Sequence, residues 1–290
     1  MVQLRETLNR GKFTMTYTTL MVPLELGQSN TGILEITGDL AERFRASVIG
    51  IAACQSIEII YSAEIYRRDI IRQHREEVER EIQVAEAEFR SALQTRVNNL
   101  EWRSAVTKAL PSDYLAHEAR SADLIVTGVD RNAPVSDIMQ QVDIRNLVMK
   151  VGRPILIVPA ATASLKLDHV IVGWQDTREA RRTVADALPF LKEAGHVMVV
   201  EIADEEDMAA ALMRVSDVVS WLLRHGVVAE FLAVKSTGND ATQLKTIAQE
   251  QAADLIVAGA YGHSRLSEWV FGGVTRDLLL PANICSLVSH

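Results

Sequence analysis

Short apolar runs alternate with amphipathic stretches along nearly the whole chain. HVIVGW (169–174) is a brief continuous apolar run, the pattern of a strand covered on both faces. REARRTVADALPFLKEAG follows at helical spacing and stops at Gly195. HVMVVEI predicts a second strand, Asp204 to His225 a helix closed by Gly226, and VVAEFLAV a third strand. A helix from Asp240, its predicted N-cap, to Ala252 comes next. DLIVAGA predicts a fourth strand, followed by a glycine-bearing loop and a helix to about Leu280. Pro281 ends that helix, and ICSLVS predicts a fifth strand.

The first half has the same grammar. TTLMVPLE, SVIGIAA, LEWRSAV, DLIVTGV and PILIVP predict strands. Helices are predicted from about Gly32 to Phe44, over a long charged stretch, near Ser112–Arg120 and near Ser136–Val151. The likeness is a repeat: Ser121–Pro159 lies on Ala252–His290 without a gap, and SADLIVTGVD matches AADLIVAGAY. Ten of those 39 positions are identical, including Arg145 on Arg276 and Leu147 on Leu278, which marks a duplicated domain. The expected architecture is α/β: two tandem open parallel five-stranded sheets flanked by helices, each in strand order 3-2-1-4-5. The expected division is a tail over 1–14, a first domain over 15–159, a linker over 160–167 (AATASLKL) and a second domain over 168–290.

One element lacks a counterpart. Ala63 to Asn98 predicts a long helix with eight acids from Glu64 to Glu88 against seven arginines from Arg67 to Arg96. Its charges nearly cancel, and Ile71, Val78, Ile82, Phe89 and Leu93 form one apolar stripe. A solvated helix with one buried face fits this pattern. A partner surface at its exposed end is the sharper alternative.

Composition narrows the function. The chain has 290 residues, 48% apolar and 23% charged, so each half can bury a core and the composition argues against disorder. A net charge of −8 argues against a nucleic-acid or anionic-membrane partner met over the whole surface. No apolar run is long enough to span a membrane, and MVQLRETLNRGKF lacks a signal-peptide core. Cys54 and Cys285 sit singly in apolar runs without C-x-x-C spacing, so both read as buried free thiols in a reducing, cytoplasmic setting.

The candidate chemistry lies in DLIVAGAYGHSRLSEWVFGGVT (254–275). Two residues separate Gly259 from Gly262, and nine separate Gly262 from Gly272. Ligands of open parallel sheets bind beyond the carboxyl ends of the strands, where the winding reverses. In the second copy those ends are Gly173, Trp174, Gln175 and Asp176 on strand one, and Ala258, Gly259 and Ala260 on strand four. Gly259 and Gly262 allow close backbone approach to phosphate. Gly272, Gly273, Val274 and Thr275 stand at a predicted helix start, with free N–H groups and the Thr275 hydroxyl to offer an anion. His263 and Ser264 lie in the intervening loop, where they could touch a terminal phosphate. The alternative reading is that these glycines only shape a turn.

This G-x2-G-x9-G spacing, on the fourth strand of a five-stranded α/β unit, resembles the universal stress protein family in its tandem form. VGWQDTREARRTVADALPFL resembles the family's first strand and helix. The likeness runs from about Tyr17 to His290. It implies an adenine-nucleotide-binding α/β fold of the wider adenine-nucleotide α-hydrolase group. It also implies ATP (or ADP or AMP), with an accompanying Mg2+, held by Gly259, Gly262, Gly272, Gly273, Val274 and Thr275. Gln175 or Asp176 would then meet the adenosine, Ile202 would border the adenine, and Trp174 would either stack on the base or block it. The two domains would pair through their fifth strands.

The sequence departs from the family pattern at Gly273, where Ser or Thr is usual, and at Gln175, where Asp is usual. The first copy keeps Gly128 but has Arg131, Gln141 and Val142 where the second has Gly262, Gly272 and Gly273, so it is expected to bind no nucleotide that way. Glu25 keeps an acid at the end of its first strand. No P-loop, nucleophile elbow, zinc or dinucleotide motif occurs, and slow ATP hydrolysis is the most this set implies. The expectation is a stress-response protein acting by nucleotide-gated interaction with a protein partner. A nucleotide-free dimerisation or adaptor module of the same fold is the alternative.

Overall fold

The apolar runs become strands covered by helices on both faces. The computed structural model describes residues 16–56, 68–129, 142–260 and 284–290. In the first half β1 (Thr19–Pro23), α1 (Thr31–Phe44), β2 (Ser47–Gln55), α2 (Arg68–Leu93) and β3 (Leu100–Thr107) are followed by α3 (Pro111–Glu118), β4 (Leu124–Val129), α4 (Ile144–Val151) and β5 (Ile155–Pro159). In the second come β6 (His169–Trp174), α5 (Arg178–Asp186), α6 (Leu188–Glu193), β7 (His196–Ala203), α7 (Met208–Arg224), β8 (Glu230–Lys235), α8 (Asp240–Glu250), β9 (Leu255–Gly259) and β10 (Cys285–Ser289).

The strand order is β3-β2-β1-β4-β5-β10-β9-β6-β7-β8, so each half has the expected 3-2-1-4-5 order. The two expected sheets are one continuous ten-stranded sheet. Among the described residues the pairings within each half are parallel, and β5 and β10 run antiparallel, with Leu287 opposite Leu156. That seam hides the edge each half would otherwise expose. β5 and β10 are buried at every position, whereas the outermost strands β3 and β8 are partly exposed.

Two apolar layers sandwich the sheet. One holds buried side chains of α1, α2, α5, α6 and α7, the other those of α3, α4 and α8. The first layer crosses the seam through an aromatic trio, Tyr17, Phe44 and Phe190, with ring centroids 5.2–5.4 Å apart. The buried Tyr17 hydroxyl donates to the Asp186 carbonyl at 2.6 Å, which satisfies its polar end. The duplication also shows in polar detail. Asp123 accepts from the Thr18 and Thr19 amides, and its counterpart Asp254 accepts from those of Asp168 and His169. In each half this acid ties the start of the first strand to the start of the fourth.

Several boundaries differ from the sequence reading. The single helix expected before Gly195 is two, because Pro189 has no N–H to continue the ladder and α6 restarts at Leu188. α7 starts at Met208, after a 3-10 turn at Glu205–Asp207, rather than at Asp204. Asn239, not Asp240, caps α8 by accepting from the Thr242 amide; Asp240 is buried and bonded to Ser236. The helix expected from Ser136 is α4 where described, capped by Asp143, whose side chain accepts from the Arg145 and Asn146 amides. β1 ends at Pro23, short of Glu25. The helix expected to reach Leu280 and Pro281 lies outside the described residues.

The long charged helix is present as α2. Val78, Phe89 and Leu93 of the expected stripe are buried and Ile82 packs against them; the side chain of Ile71 lies outside the described residues. Arg75–Glu79 and Arg90–Glu86 ion pairs lie along its exposed face. Both cysteines are free and buried, and burial pushes their thiols up to about 11 for Cys54 and about 12 for Cys285. As thiols rather than thiolates, they are poor nucleophiles. Among the described residues no helix is long and apolar enough to cross a membrane.

Candidate functional site at the carboxyl ends of β6 and β9

The winding of the second half reverses between β6 and β9. From β6 the chain moves outward to β7 and β8, while β9 leads back to β10 at the seam. β6 and β9 pair directly, Val170 with Leu255 and Gly173 with Ala258, so their carboxyl ends open side by side. This is the switch point at which open α/β sheets take ligands.

The rim of β6 is polar. Gln175 is half-buried and Asp176 exposed, where it pairs with Arg181 at 3.2 Å. The Thr177 hydroxyl caps α5 by accepting from the Ala180 amide at 3.2 Å. Glu179, in the first turn, is buried. Burial opposes ionisation of its carboxyl, yet its own backbone amide and Arg178 outweigh that and hold it below the usual carboxylate range. A negative charge therefore already occupies the start of α5, where the helix dipole favours one.

The two glycines of the rim are explained by packing. A Cβ on Gly173 would sit 2.7 Å from Leu244 of α8, so its bare face makes room for that leucine. A Cβ on Gly259 would sit 2.6 Å from the Ala180 nitrogen and 2.8 Å from the Glu179 carbonyl carbon. Glycine there lets β9 run against the backbone of α5. The counterpart in the first half, Gly128, has nothing within 4 Å of that position.

Ile202 and Ala258 are buried in the same layer as Leu244. Trp174 is buried in the opposite layer, the one that also holds side chains of α5 and α7, so its indole does not share a face with Ile202. Ala260 leaves β9 with its amide bonded to the Ser289 carbonyl at 2.9 Å and its carbonyl 3.3 Å from His290 Nδ1. Gly262, His263, Gly272, Gly273, Val274 and Thr275 lie outside the described residues. The structure thus brings together Gly173, Gln175, Asp176, Ile202, Ala258 and Gly259 at one end of the sheet, with Trp174 beneath the other face.

At the equivalent place in the first half, α2 is tied to the loop that precedes α1. Glu88 of α2 accepts from the Asn30 amide at 2.9 Å and from Thr31 Oγ1 at 3.2 Å. The buried Asn30 side chain bonds back to the Glu25 amide and carbonyl. Leu24 and Leu26 are buried beside this loop, and Val142 is half-buried. Arg131 and Gln141 lie outside the described residues.

Pattern reading missed a buried ionic group beside the rim. Glu201 of β7 is 4% exposed, and Arg214 of α7 reaches it through Nε (2.8 Å) and Nη2 (2.5 Å) while also bonding Asp207. Burial pushes the Glu201 carboxyl up despite Arg214, with Asp207 and Asp176 adding to the rise. A lone acid inside HVMVVEI was its trace in the sequence. Among the described residues no group of three or more His, Cys, Asp or Glu could hold a metal ion.

This fold is that of solved universal stress proteins. Residues 202–289 match the model of the Universal stress protein family. A universal stress protein from Archaeoglobus fulgidus DSM 4304 superposes with a TM-score of 0.68 at 14% identity, covering 93% of this chain and 95% of that chain. A putative universal stress protein from Pseudomonas aeruginosa UCBPP-PA14 gives 0.60 at 15% identity, over 94% and 93%. Both alignments take in the two halves together, so the tandem layout is shared. A shorter universal stress protein, solved in complex with cAMP, covers 50% of this chain and 98% of its own at 20% identity, with a TM-score of 0.33. No curated protein sequence matches the chain.

Proposed function

We propose that the second half binds an adenine nucleotide at the β6–β9 switch point and that the chain signals by occupancy rather than turnover. ATP is the first candidate, with ADP and AMP next. Any Mg2+ would arrive with the phosphates, since that ion is held mainly by phosphate and water in such sites. The observation that carries the reading is the winding reversal: β9 ends at Gly259, beside the Gln175–Asp176 rim, and the chain then enters the stretch containing Gly262, Gly272 and Gly273. Those three glycines, with His263, Val274 and Thr275, are assigned to the phosphates, and Ile202, Gln175 and Asp176 to the nucleoside.

We assign residues 15–159 to a degenerate domain that braces the second, 168–290 to the binding domain and 160–167 to the linker. The Glu88–Asn30 bonds that tie α2 to the first-half loop support that division of labour. A cytoplasmic role in the stress response, through a protein partner read by the nucleotide-bound form, completes the reading. The test is mass spectrometry of small molecules released from natively purified protein: adenine nucleotide should be released from wild type and be absent from Gly262→Asp.

One observation favours the alternative, a nucleotide-free adaptor. The spaces over Gly173 and Gly259 are filled by Leu244 and by α5, so neither glycine requires a ligand. That reading expects no adenine absorbance in the purified protein and partner capture unchanged by added ATP.

A further inference from the structure

Two buried polar atoms beside the rim have no hydrogen-bond partner among the described residues: Trp174 Nε1 and Glu201 Oε2. One is a donor without an acceptor and the other an acceptor without a donor. Trp174 of β6 and Glu201 of β7 are register partners on adjacent parallel strands, so their side chains leave the sheet on the same face. Both residues are at least nine-tenths buried, at 6% and 4% exposed.

Protein groups account for only part of this cluster. Arg214 sends both of its bonds to Oε1 of Glu201 and spends its remaining reach on Asp207. Oε2 is left outside the pair. A bare buried donor or acceptor costs about 1–3 kcal/mol, and a charged one more. Native structures rarely leave such atoms empty-handed, and an ordered water is the usual remedy. Neighbouring strands lie about 4.8 Å apart, and register partners project from the same face of the sheet.

We propose that one buried water molecule bridges this pair, accepting from Trp174 Nε1 and donating to Glu201 Oε2. The water completes a polar chain across three elements: β6 at the crevice rim, β7 at Glu201, and α7 through Arg214 to Asp207. Trp174 immediately precedes Gln175 and Asp176, so the chain anchors the rim from below. The inference stands whether or not nucleotide binds.

A crystal structure of the full chain fine enough to show waters tests it. The expected result is an ordered water within about 3 Å of both atoms. A dry gap, or a direct Nε1–Oε2 bond, would overturn the proposal. In solution, the Trp174 indole N–H resonance, assigned by its loss in Trp174→Phe, should show a cross-peak to bound water. That cross-peak should persist in Glu201→Gln, which keeps an acceptor, and vanish in Glu201→Leu. Its persistence in the leucine variant would overturn the assignment of Glu201. If that variant does not fold, the wild-type electron density decides alone.

Discussion

Leu156 and Leu287 face each other across the antiparallel β5–β10 pairing, and they are the same position in the two sequence repeats. The duplicated unit therefore meets its copy about a local two-fold passing through this leucine pair. Both side chains are fully buried. The duplication that the sequence displays end to end is closed in space side to side.

This relation predicts one cooperative unit rather than two. Leu156→Ala and Leu287→Ala should each cost about 2–5 kcal/mol. Denaturant unfolding should show a single transition that either substitution moves as a whole. Two separate transitions, with only one half affected, would show that the seam does not couple them.

The aromatic trio makes a parallel prediction. Phe190→Ala should cost about 3–5 kcal/mol by emptying the space shared with Tyr17 and Phe44. Tyr17→Phe should cost about 0.5–1.5 kcal/mol, because it removes only the hydroxyl bond to Asp186. Thermal melts of the two variants side by side give the comparison, and a larger loss for Tyr17→Phe would contradict it.

Gly259 and Gly128 occupy the same repeat position and should respond oppositely. Gly259→Ala would drive a methyl group into the Ala180 backbone and should cost about 1–3 kcal/mol. Gly128→Ala meets open space and should be neutral or stabilising by about 0.4–1 kcal/mol through the unfolded chain. Circular dichroism melts distinguish them, and equal losses would refute the packing role given to Gly259.

The pH dependence follows from two opposed carboxyl groups. Burial raises the Glu201 carboxyl, so the folded state holds its proton longer than the unfolded chain does. Stability should therefore fall as pH rises from the ordinary carboxyl value through the raised one, and Glu201→Gln should flatten that fall. Glu118 behaves in the opposite sense. Burial opposes its ionisation, but Arg120 and Arg103 outweigh it and hold the carboxyl low, so its contribution is lost as pH falls below the ordinary value. Denaturant titrations of wild type, Glu201→Gln and Glu118→Gln across the acid range check both signs. A fall that survives in Glu201→Gln would contradict the first, and an unchanged acid limb in Glu118→Gln the second.

These residues also show what the sequence could disclose. Strands buried on both faces are continuous apolar runs, so β5, β6, β9 and β10 were legible, and the duplication displays each of them alongside its counterpart. The same burial hides orientation: in HVIVGW every position is apolar or small after the first, so nothing reveals that Trp174 and Ile202 lie on opposite faces. Nor does a glycine announce what approaches it. Gly259 reads alike for a phosphate and for the backbone of α5, and only the coordinates show the helix. The break at Pro189 was visible in composition but masked by a helical apolar period that runs through it. The Asn30–Glu88 bonds join residues far apart in the chain, beyond any local pattern.

Calorimetric titration of the full chain with ATP, ADP and AMP tests the central claim most directly. The account predicts saturable heat with a dissociation constant of about micromolar magnitude, one site per chain, and loss of that heat in Gly262→Asp and Gly272→Val. No heat with any of the three at high concentration, or two equivalent sites per chain, would contradict it.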